Sequence, residues 1–133
     1  MKFMQTEIGL KDKLFDLAEA RELLSLVQSI TEYHQAELAP LQARLTKMLS
    51  NDPRRNSIER DYQKVVSQWR TKMEHIGVHV SGLWLVEFNV GEGFLCWRYP
   101  ELSLNYFRAN NASFSQRMTI GNYVEECDPD WAR

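Results

Sequence analysis

From Leu17 the apolar residues recur at alternating steps of three and four, through Ala20, Leu24, Val27, Leu38, Leu41, Leu45 and Met48, with Thr31 and His34 in the same register. That spacing keeps one side of an α-helix apolar over many turns, so the chain must begin with a long amphipathic helix whose stripe needs a partner. Asp16 followed by Glu19 forms a capping box that marks the helix start. Pro40 falls inside the stripe and predicts a kink or break, because it removes one intrahelical hydrogen bond. The run Asn51-Asp52-Pro53-Arg54-Arg55-Asn56 is turn chemistry. A second stripe follows at Ile58, Tyr62, Val65, Trp69, Met73 and Ile76, opened by a second capping box, Asn56 with Glu59, and stopped by Gly77. Two antiparallel helices over residues 16–77 are predicted.

Past Gly77 the pattern changes to short runs rich in aromatic and β-branched residues, at 83–88, 94–99 and 104–108. Asn89-Val90-Gly91-Glu92-Gly93 predicts a hairpin turn, Pro100-Glu101 ends the next strand, and a weaker strand is expected at 13–15. With 133 residues the chain suits one hydrophobic core. The expected architecture is a single α+β domain, with a helical hairpin packed on one face of an antiparallel sheet of three or four strands (about 83–120). An acidic tail is expected over 122–133.

Hydrophobic residues at 44% and charged residues at 26% exclude a disordered chain. A net charge of −2 gives no general attraction for nucleic acid, which is bound first by neutralising phosphates. No apolar run approaches the ~20 residues that span a bilayer, and charges occupy the N-terminal stretch where a signal peptide is apolar. Neither export by the usual route nor a membrane anchor is expected. Cys96 and Cys127 form no C-x-x-C motif and are too few for a disulfide framework, which favours a reducing cytoplasm.

The sheet region carries Gly82-Leu83, Val86-Glu87-Phe88, Leu95-Cys96-Trp97-Arg98, Tyr106-Phe107 and Phe114-Ser115-Gln116-Arg117, and the first helix opens on Phe15-Asp16-Leu17 with Glu19-Ala20. These segments resemble the bacterial family catalogued as domain of unknown function 2203, whose tightest motif is Leu-Cys-Trp-Arg. The resemblance supports the fold and implies no activity. Cys96, Trp97, Arg98, Phe114 and Arg117 match the family pattern, and Glu87 stands where the family has Asp. Arg108 replaces a family His, Asn111 an acidic residue, and Ser113 and Gln116 glycines, so any site using that His and acid is altered here.

Strand alternation puts Glu87 on a face with Leu83 and Leu85, and Arg98 on one with Phe94 and Cys96. A charge among apolar neighbours is costly unless paired, so a Glu87–Arg98 cross-strand pair is expected. Its functional version is a small-anion site in which Arg98 and Arg117 clamp a carboxylate, oriented by Glu87, with Glu101 or Arg108 at the rim. Its plain version is an ion pair that fixes strand register.

Metal chemistry finds little support, because Gly77 separates His75 from His79 and His34 with Glu37 does not make the Glu-x-x-His pattern of di-iron bundles. No cofactor is expected. Arg98 could activate Cys96, but a mid-strand cysteine between aromatic residues is usually buried and inert. The tip residues Arg54, Arg55 and Arg60, and the aromatics Phe94, Trp97 and Tyr99, fit a solvated loop and a core better than an RNA-binding face. A helix from Leu17 to about Ser50 would run on the order of 50 Å, against a radius of gyration of roughly 14 Å for a domain of this size. The hairpin should overhang its sheet and hide its stripe against a second copy. The function expected is therefore a non-enzymatic, self-associating binding or scaffold module, with the anion site as the alternative.

Overall fold

The computed structural model describes residues 13–122. The acidic tail expected at 122–133 lies outside them apart from Asn122, as does Cys127. Helix α1 (Leu17–Lys47) opens with the expected capping box: Asp16 Oδ1 accepts from the Glu19 N–H at 2.7 Å, and Glu19 Oε1 accepts from the Asp16 N–H at 3.0 Å. Pro40 does not break it; α1 is one helix of 31 residues. Both Pro40 and Ala36, whose carbonyl loses its N–H partner, face solvent, so water can satisfy the orphaned acceptor.

Helix α2 (Arg55–Ile76) begins earlier than the Asn56 capping box predicted, and its N-cap, Arg54, makes no side-chain capping bond. Asp52 intervenes, because its Oδ1 accepts from the Arg54 N–H at 2.9 Å and sets the turn before Asn56 is reached. Arg55 in turn reaches back to the carbonyls of Leu45 and Met48, tying the two helix ends together. Gly77 closes α2 at φ 98°, a left-handed conformation that favours glycine, and its N–H meets the carbonyls of Met73 and Glu74.

Five antiparallel strands follow in sequential order: β1 (His79–Gly82), β2 (Leu85–Asn89), β3 (Gly93–Arg98), β4 (Tyr106–Ala109) and β5 (Met118–Thr119). The count exceeds the expected three or four because β1 and the two-residue β5 are too short to leave a pattern. Leu83 and Trp84, assigned to a strand from sequence, form the β1–β2 turn instead. Trp84 takes a positive φ of 64°, held by edge-to-face packing on Trp69 with centroids 4.9 Å apart. The segment 13–15 is no strand, although the Phe15 N–H donates to the Asn89 carbonyl at 2.8 Å. The 89–93 hairpin forms as expected, with Asn89 Oδ1 accepting from the Gly91 N–H at 2.8 Å.

One face of the sheet, carrying Val86, Phe88, Leu95, Trp97 and Phe107, packs on Ala20, Leu24 and Val27 of α1 and Trp69 and Met73 of α2. The indole N–H of Trp69 donates to the Thr31 hydroxyl at 2.9 Å, satisfying two polar groups in a fully buried seam. The core therefore occupies the sheet-proximal half of the hairpin, and the distal half projects past it.

Candidate functional site

The opposite face of the sheet carries the charged residues. The register places His79, Glu87, Cys96, Tyr106 and Thr119 in one row across all five strands, with Asn89, Phe94 and Arg108 in the next. Glu87 is 2% exposed although α1 and α2 pack on the other face of the sheet. Its cover comes from Arg108, two strands away, which reaches over the small Cys96 side chain.

Arg108 binds Glu87 through two parallel bonds, Nε–H to Oε2 and Nη2–H to Oε1, the second at 2.8 Å. Its Nη1 donates to the carbonyls of Ala112 (2.7 Å) and Ala109 (3.4 Å), and its guanidinium lies 4.3 Å from the centre of the Phe94 ring. The Glu87 carboxylate raises the Arg108 pKa further above its ordinary value. The expected Glu87–Arg98 pair does not form. Arg98 opposes Leu85, not Glu87, and is exposed.

A second ion pair lies at the end of β3. Arg117 donates to both carboxylate oxygens of Glu101, at 2.6 and 3.2 Å, and stacks on Tyr106 (4.1 Å) and Phe114 (4.8 Å). Glu101 Oε1 also accepts from the Arg98 backbone N–H at 2.9 Å. Arg98 thus enters this arrangement through its backbone, and the predicted Arg98–Arg117 clamp is replaced by an Arg117–Glu101 pair. Tyr106 is the participant that sequence reasoning missed; its alternation with Arg108 was the available signal.

Cys96 is fully buried, with Sγ 3.7 Å from Glu87 Oε2. Burial, reinforced by the Glu87 negative charge, pushes its thiol up to about 12, so almost no thiolate forms near neutrality. Three clefts formed by described residues lie elsewhere, and Arg98, Arg108 and Arg117 line none of these three. One lies beside the start of α1, one between α1 and the 99–102 loop, and one along the hairpin. Among the described residues, no group of three or more His, Cys, Asp or Glu could hold a metal ion, and no helix is long and apolar enough to cross a membrane.

The fold and this cluster define an α+β protein with a helical hairpin over a five-stranded antiparallel sheet, whose outer face carries the bidentate pairs Arg108–Glu87 and Arg117–Glu101. The chain belongs to the family of uncharacterized conserved proteins designated DUF2203, whose model matches residues 13–120. Searches of curated proteins and of solved structures returned no match.

Proposed function

We propose that the chain is a non-enzymatic, self-associating binding or scaffold module that pairs through the distal half of its hairpin. The observation that carries this reading is the mismatch between hairpin and core. The core cluster takes no buried residue of α1 beyond Val27 and none of α2 before Trp69. At ~1.5 Å per residue, the stretch of α1 past that point is roughly 30 Å long. Along it only Thr31, His34, Leu38 and Ile58 are buried, where the helices face each other. Leu41, Leu45, Met48, Tyr62, Val65 and Val66 are half-covered, and Tyr33 and Leu49 are 61% and 74% exposed. Two helices cover only one flank of each other, and a second hairpin completing a four-helix bundle would hide the rest. The two closed ion pairs support a fixing role for the sheet cluster more than a catalytic one.

The anion-site reading, using Glu87, Arg98, Glu101, Arg108 and Arg117, would require a ligand to displace Glu101 from the fork of Arg117. Sedimentation equilibrium at tens of micromolar tests the proposal. A mass near twice the 15.6 kDa chain is expected. A 15.6 kDa species whose melting is independent of concentration would refute it.

A further inference from the structure

Helix α1 carries a second line of residues beside the one that faces α2. Ile30, Tyr33 and Glu37 each precede by one residue Thr31, His34 and Leu38, which are buried against α2, so this line is turned by about 100° around the helix axis. Arg44 continues it two turns beyond Glu37, ~10.5 Å along the axis, with half-covered Leu41 and Met48 at its border. Ile30 is half-covered and Tyr33 is 61% exposed, its ring held from the α2 side by Lys72 Nζ at 5.6 Å from the centroid. Glu37 Oε1 lies 2.8 Å from His34 Nδ1, but Glu37 Oε2 has no hydrogen bond among the described residues. Arg44 is exposed and joins no ion pair among them. The helix dipole accounts for a base in the last turn of α1, where Arg44 lies, but gives no reason for the acid at Glu37, well inside the helix.

We propose that two copies of the chain pair antiparallel along this line, with Glu37 of each facing the partner's Arg44. The inference rests on the self-association reading and gives it a surface and a direction. A two-fold axis passing between positions 40 and 41 sets position 37 of one chain opposite position 44 of the other, so the same ion pair forms twice. It also lays the exposed Tyr33 ring on the partner's Met48, an aromatic anchor of the kind that carries binding energy at interfaces. Parallel pairing in register would instead oppose Glu37 to Glu37 and Arg44 to Arg44, and like charges at both positions repel. Ala36 is turned a further ~100° from Glu37, so the carbonyl orphaned by Pro40 stays at the wet rim of the contact.

The test is sedimentation equilibrium of the full chain, of Glu37→Lys, of Arg44→Glu, of the double variant, and of an equimolar mixture of the two single variants. Each single variant should pair about tenfold or more weakly than the parent, because one change turns two attractive contacts into two repulsive ones. The double variant should pair as the parent does. The mixture should regain pairing, because both contacts of a mixed dimer again join opposite charges. High salt should narrow all of these differences. Arg44→Glu alters an exposed residue without a partner, so it carries the test if Glu37→Lys disturbs the His34 contact. A dimeric parent whose pairing is unchanged by Arg44→Glu, or a mixture that pairs no better than its components, would overturn the antiparallel contact and leave self-association standing. A parent that stays monomeric at tens of micromolar would refute both.

Discussion

Replacing Arg108 by Ala tests what holds the outer face of the sheet together. Glu87 is 2% exposed at its side chain and Arg108 16%, so the pair is largely removed from water. Without the guanidinium, the carboxylate loses both of its charged bonds and, among the described hydrogen bonds, retains that to the Cys96 thiol at 3.7 Å, a weak donor. Breaking one partner of a buried pair in this way costs about 3–5 kcal/mol, because a charge is left desolvated and uncompensated. The bonds from Arg108 to the Ala109 and Ala112 carbonyls disappear as well, releasing the loop that leads to β5. For a chain of this size the loss corresponds to a fall in melting temperature of roughly 10–20 °C. Urea denaturation midpoints for Arg108→Ala, Glu87→Leu/Arg108→Met and Arg98→Ala provide the assay. The double variant removes both charges and fills the space, so it should recover most of the loss. Exposed Arg98 should shift stability by no more than ~0.5 kcal/mol. A loss below about 1 kcal/mol for Arg108→Ala, or an equal loss for Arg98→Ala, would refute the reasoning.

Arg117→Ala should cost about 1.5–3 kcal/mol, because a 12%-exposed side chain loses a bidentate carboxylate and two ring contacts; Arg54→Ala and Arg55→Ala at the hairpin tip should shift the midpoint less. Equal midpoints for the three variants would remove Arg117 from any organised cluster. In a Cys127→Ser background, Cys96 should resist iodoacetamide at pH 8 until the protein is unfolded, and rapid labelling of the native form would contradict its burial. The same thiol sets a pH dependence. Its folded pKa is raised from 9.0 to about 12, so its contribution to stability is fully present below pH 9 and is lost as pH rises toward 12. A Cys96→Ala variant should show a smaller alkaline decline in stability than the parent.

Local sequence dictates the long helices, the turn between them, the Gly77 stop and the hairpin at 89–93, because each rests on short-range chemistry: a 3.6-residue stripe, a capping carboxylate, a left-handed glycine. It also determined that Glu87, on an alternating strand, needs a cationic partner. Which arginine supplies it depended on the register of three strands and on the small size of Cys96, quantities that no local window contains. Leu83 and Trp84 have strand-forming side chains, yet packing of Trp84 on Trp69 in α2 makes them a turn. Pro40 breaks a local rule without breaking the helix, because the carbonyl it orphans faces water. Local propensities are worth tenths of a kcal/mol to about one per residue, whereas burying an indole or pairing a desolvated carboxylate is worth several. Where the two conflict, tertiary packing decides.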